Sequence, residues 1–90
     1  MKQTTDSKSI NRYDIVMKLT DILKGVLDDN ELTLTEDTTP NEVGEWDSAN
    51  HIRFILAIEA EFDIRFEAAE IGSFEKVGQL VDCVQRKLTR

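Results

Sequence analysis

Cysteine occurs once in this chain, at Cys83, so no internal disulfide can staple the fold. A reducing, cytoplasmic setting is therefore expected. One proline, four glycines and seven per cent aromatics supply too few turn signals for a many-stranded sandwich. No stretch approaches the roughly 18 consecutive apolar residues of a membrane span. The opening MKQTTDSKSINRY lacks the apolar segment of a secretory signal. One histidine and one cysteine cannot make a structural zinc site. These absences point to a soluble monomer with neither metal nor membrane as partner.

Carboxylate, by contrast, is abundant: eighteen acidic against eleven basic residues give a net charge of -7. Its distribution is uneven. Asp28, Asp29, Glu31, Glu36, Asp37, Glu42, Glu45 and Asp47 fall within residues 28–47, which hold no Lys or Arg. Residues 1–27 are slightly basic. Such an acidic stretch repels nucleic acid and attracts basic protein surfaces, though a solvated face is the simpler reading.

Ninety residues with an apolar share of 40% suffice for one packed domain. Residues 1–9 are polar and aperiodic and read as a disordered N-terminus, leaving a helical domain over 10–88. Ile15, Val16, Leu19, Ile22, Leu23, Val26 and Leu27 recur at helical spacing, predicting a helix from about Ser9 or Asn11 to Asp28–Asn30. A long loop over 30–46 follows, pinned by Leu32, Leu34 and Val43; loops of that length in compact domains are often functional. A second helix is expected from Asp47 or Ser48 to Phe62. Its apolar side would be Ile52, Ile55, Leu56, Ile58 and Phe62, widened by Phe54 and Ala57 until the helix is buried over much of its surface. One brief helix fits Glu67–Ile71. A last helix is expected from Ser73, a good N-cap residue, with Phe74, Val77, Leu80, Val81, Val84 and Leu88 in step. The fold class is all-α: a small four-helix bundle of three main helices and one short one, with a long first loop.

Several chemistries can be weighed and set aside. Asp28-Asp29-Asn30 opens like a calcium loop, but Leu32, Thr33 and Thr39 stand where that loop needs an oxygen ligand, glycine and glutamate. Asp47, Ser48 and His51 suggest a hydrolytic triad, yet the chain offers no Gly-rich turn for an oxyanion hole. No catalytic residue is assigned, and His51 reads as an exposed helix residue. Cys83, beside Leu80 and Val84, reads as a small apolar residue. Ser48 keeps two readings. Asp-Ser before an apolar-periodic run is an ordinary helix start, where the serine can cap. A helix N-terminus also favours a phosphate attached to that hydroxyl.

DSANHIRFILAIEAEFDIRF resembles the second helix of the acyl carrier protein family, in which D-S-L precedes an apolar run ending in E-x-E-F-x-I. Asp47-Ser48 match the attachment motif, and Ile52, Ile55, Leu56, Ala57 and Ile58 match the run. Glu59, Glu61, Phe62, Ile64 and Phe66 match its end. With the first helix, the acidic loop and the closing SFEKVGQLVDCV, the resemblance covers residues 10–88. It implies a 4′-phosphopantetheine arm, attached to Ser48 from coenzyme A by a phosphopantetheinyl transferase. The arm's thiol would hold acyl groups as thioesters for acyl-loading and acyl-processing enzymes, so the chain itself would be no enzyme. It further implies an acyl pocket or its mouth at Ile52, Leu56, Phe62 and Phe66. A partner surface at Ala49, Asn50, Ile52, Arg53, Leu56 and Glu59 goes with it.

The departures are as specific as the match. The family's leucine after the serine is Ala49, and its usual acidic residues two and five positions on are Asn50 and Arg53. A cation at Arg53 repels the basic patches that partners of this family present, although one exposed pair is worth only about 0–1 kcal/mol. W-D-S followed by N-H-I-R resembles stand-alone carriers of specialised lipid or polyketide-type pathways. An aminoacyl or peptidyl carrier and an unmodified acidic helical adaptor are the alternatives.

Overall fold

A computed structural model describes residues 11–88; the expected polar N-terminus, residues 1–9, lies outside them. Four α-helices follow one another: α1 Arg12–Leu27, α2 Ser48–Phe62, α3 Ala68–Ile71 and α4 Val77–Leu88. A 3-10 turn, Pro40–Glu42, interrupts the long loop and was not expected from the sequence. No strand occurs among the described residues. The all-α bundle of three main helices and one short one is thus the observed architecture.

The two longest helices are bounded by local signals. Asn11 caps α1, its side chain accepting from the Asp14 N–H at 2.9 Å. Asp47 caps α2 in the same way, accepting from the Asn50 N–H at 2.9 Å. Both helices end on an aspartate in the left-handed region, Asp28 at φ 56° and Asp63 at φ 57°. Aspartate tolerates that conformation better than most residues. The next N–H in each case reaches back to the last turn, Asp29 to the Lys24 carbonyl and Ile64 to that of Glu59.

Ile15, Leu19, Leu23 and Leu27, four residues apart, form the buried stripe of α1, which lies against both α2 and α4. From α2 come Phe54, Ile55 and Ile58, and from α4 Val77, Leu80, Val81, Cys83 and Val84. The expected burial of α2 needs correction. Ile52 and Leu56 are 47% and 59% exposed, while Phe54, placed only at the margin of the apolar side, is fully buried. Two residues along a helix are about 200° of rotation, so Ile52 and Leu56 point roughly opposite to Phe54. The loop returns to the core through Leu32, Leu34 and Trp46, all buried, with Val43 and Phe62 packed beside it.

The start of α4 also differs from expectation. Ser73 does not cap it; its hydroxyl donates to the Glu70 carbonyl at 3.1 Å, and the helix begins at Val77. The reason is non-local. The N–H groups of Val77 and Gly78 donate to the loop carbonyls of Thr38 (2.9 Å) and Glu36 (2.8 Å), while the Gln79 side chain accepts from Glu75 and Lys76. The loop therefore satisfies donors that a helix start leaves open. Arg12 fastens the same corner, donating to both carboxylate oxygens of Glu36 and to Asp82, Gln85 and the Gly78 carbonyl. One guanidinium thus joins α1, the loop and α4.

Candidate functional site at the start of α2

Asp47 and Ser48 divide two jobs that the sequence left together. Asp47 is the N-cap and Ser48 the first helical residue, so the capping bond belongs to the carboxylate. Ser48 is exposed, and its hydroxyl makes no hydrogen bond to the described residues. The serine hydroxyl is left unpartnered among the described residues, at the positive end of a 15-residue helix.

Beside it lies an open cleft of about 530 Å³, walled by Pro40 and Trp46 from the loop, Ser48 and Ile52 from α2, and Ile71 and Phe74 beyond. His51 also faces this cleft and is more engaged than the exposed residue expected. Its Nδ1 accepts from the Trp46 indole N–H at 3.0 Å, and its Nε2 lies 3.0 Å from the Ile71 carbonyl. The Trp46 and His51 rings lie 29° apart in plane with centroids 6.0 Å apart, and Trp46 meets Phe54 edge-on at 5.3 Å. With both ring nitrogens occupied, His51 is no base for Ser48, which removes the triad on geometric grounds. The residue spacing gave no sign of the link to Ile71, twenty residues away.

The remaining site residues separate by what they touch. Ala49 is exposed, and Asn50 is half-buried with its side-chain amide donating to the Glu45 carbonyl at 2.9 Å. Arg53 is exposed and makes no ion pair among the described residues. Ile52 and Leu56 continue one exposed line from Ser48 at four-residue spacing, and only Ile52 reaches the cleft wall. Glu59 faces inward, accepting from the Phe66 N–H at 2.8 Å. Phe62 packs partly buried on the core; Phe66 is buried and meets Phe74 edge-on at 6.1 Å, with Lys87 above its ring. Phe62 and Phe66 are thus not part of the cleft's lining.

Two acidic side chains outside the cleft have shifted titration. The Arg12 guanidinium holds the Glu36 carboxyl below its ordinary value, and the Glu67 N–H, aided by Lys87, does the same for Glu70. Burial pushes the Cys83 thiol up, in keeping with an inert apolar role. No cluster of three metal-ligating side chains occurs among the described residues, and no described helix is long and apolar enough to cross a membrane.

No protein-family model matches the chain, and no match is found among curated proteins. Solved structures do match. The solution structure of holo acyl carrier protein from Geobacter metallireducens shares 36% identity over 83% of this chain and 86% of that one, with a TM-score of 0.77. The crystal structure of acyl carrier protein from Thermotoga maritima shares 31% identity over 89% and 93%, with a TM-score of 0.78. Agreement in both sequence and fold over most of each chain means that this chain belongs to the acyl carrier protein family.

Proposed function

We propose that this chain is a covalent acyl carrier whose attachment point is Ser48 and whose cofactor is 4′-phosphopantetheine drawn from coenzyme A. The observation that carries the reading is the free, exposed Ser48 hydroxyl, released from capping by Asp47 and set at the rim of an apolar-walled cleft. A phosphodiester suits that position: it stays in solvent, and the helix N-terminus favours its charge.

Ser48 acts as the nucleophile in attachment. Its Oγ bonds to the phosphorus that bears pantetheine, the bond from that phosphorus to the adenosine bisphosphate half of coenzyme A breaks, and the serine proton passes to a base of the transferase. Once bound, the arm supplies a thiol that holds acyl groups as thioesters. The chain's own residues present and orient the attachment point, while partner enzymes act on the cargo. Those enzymes would meet Ala49, Ile52, Arg53 and Leu56, with Asn50 and Glu59 holding the loop and the end of α2 in place. Ile52 would meet the proximal part of the cargo. The exposed Arg53 and the small Ala49 favour a dedicated partner set of a specialised lipid or polyketide-type pathway.

Incubation with coenzyme A and a broad-specificity phosphopantetheinyl transferase, followed by intact-mass measurement, tests the reading. A phosphopantetheine-sized increase that disappears in Ser48→Ala is expected. No increase beside an active control carrier would overturn it and favour the unmodified adaptor.

A further inference from the structure

His51 lies three residues beyond Ser48, and its ring joins three walls of the serine's cleft. The indole of Trp46, from the loop, can only donate, and the Ile71 carbonyl, at the end of α3, can only accept. Between these two partners Nδ1 takes the accepting role and Nε2 the donating one. The α3 wall rests on the core through Ile71 and is tied to α4 through Glu70. It is four residues long with none fully buried, and its side-chain polar ties beyond its own turn run from Glu70 to Lys87, Arg86 and Cys83 of α4. The bond from His51 to Ile71 is therefore the polar link between α2 and α3 on the cleft side.

We propose that His51 is a positioning residue for chemistry at Ser48: its ring clasps the Trp46 indole and the Ile71 carbonyl, so that the serine's cleft has one wall arrangement when an enzyme docks. Without the clasp the walls are free, and a docking enzyme must order them at the cost of binding rather than of the chemical step. The kinetic half of this inference rests on the carrier reading; the structural half does not.

Three variants separate the two bonds. His51→Asn places an amide oxygen near the Nδ1 position and keeps an acceptor for the indole. His51→Gln reaches toward the Nε2 position and keeps a donor for Ile71. His51→Leu keeps bulk and loses both. The single tryptophan gives one indole N–H resonance, which reports the clasp directly. It is expected to shift upfield and exchange faster with solvent in His51→Leu and His51→Gln, and to stay near the wild-type position in His51→Asn. The Ile71 and Gly72 amide resonances should move in His51→Leu and His51→Asn, and stay close to wild type in His51→Gln.

With coenzyme A and the transferase, His51→Leu, which loses both bonds, is expected to raise the KM for the carrier by up to about thirtyfold at unchanged kcat, about fivefold for each ordinary hydrogen bond. Each single-bond variant should fall between. An indole resonance that does not move in a folded His51→Leu protein overturns the clasp. Moved resonances with an unchanged KM, or a fall in kcat instead, overturn the positioning role. An unmodified wild-type protein overturns the carrier reading and leaves the clasp to be judged by the resonances.

Discussion

Asp47 and Ser48 are adjacent and both polar, yet their side chains do different physical work. The Asp47 carboxylate accepts an otherwise open N–H of the first turn, while the Ser48 hydroxyl accepts and donates nothing among the described residues. Loss of an N-cap carboxylate costs about 1 kcal/mol. An exposed residue without such a contact costs no more than about 0.5 kcal/mol on replacement. In urea unfolding, Asp47→Ala should accordingly be less stable than wild type by about 1 kcal/mol, and Ser48→Ala should stay within about 0.5 kcal/mol of it. Equal losses would return the cap to the serine. The same separation makes Ser48→Ala a clean control for modification, since the protein that cannot be modified remains as stable as the one that can.

At the scale of elements, what could be read in advance was what neighbours in sequence decide. The helix starts near Asn11 and at Asp47-Ser48, the four-residue spacing of Ile15, Leu19 and Leu23, and the short α3 all depend on contacts within a few residues and lie where they were expected, although the cap of α2 is Asp47 and not the serine. The start of α4 did not, because loop carbonyls forty residues away replace a cap there. The inward Glu59 and the His51–Ile71 link were illegible for the same reason. So was the hub at Arg12, whose hint was only a cation opening α1 before a loop with none. Two helical glycines test this docking of loop on α4. A Cβ at Gly78 would stand 3.0 Å from the Glu36 carbonyl oxygen and 3.3 Å from the Glu36 Cβ, whereas one at Gly25 meets nothing within 4 Å. Gly25→Ala should gain up to about 1 kcal/mol from helix propensity alone. Gly78→Ala has the same propensity gain but must push the loop aside, an overpacking that costs about 1–3 kcal/mol, so a net loss of roughly 1 kcal/mol is expected. Thermal unfolding of the pair decides it: equal gains would mean that the loop does not bear on α4.

For the molecule as a whole, an acidic chain of net charge -7 is closed partly by ion pairs that bring its carboxylates back to scarce cations. Glu36 and Glu70 titrate below their ordinary 4.5 in the fold. A carboxylate whose value is lowered by folding contributes stability above its unfolded value and loses it as pH falls through the folded one. The melting temperature should therefore fall as pH drops below about 4.5, and the fall should be shallower in Glu36→Gln and Glu70→Gln. An unaltered acid limb in both variants would contradict that role. Attachment at Ser48, as proposed above, is decided by locating the added group on the chain. After reaction with coenzyme A and the transferase, tandem mass spectrometry of the fragment containing Trp46 to Arg53 should place the whole phosphopantetheine increment on Ser48. An increment on Ser73 or any threonine, or no increment while a control carrier is modified, would rule out Ser48 as the attachment point.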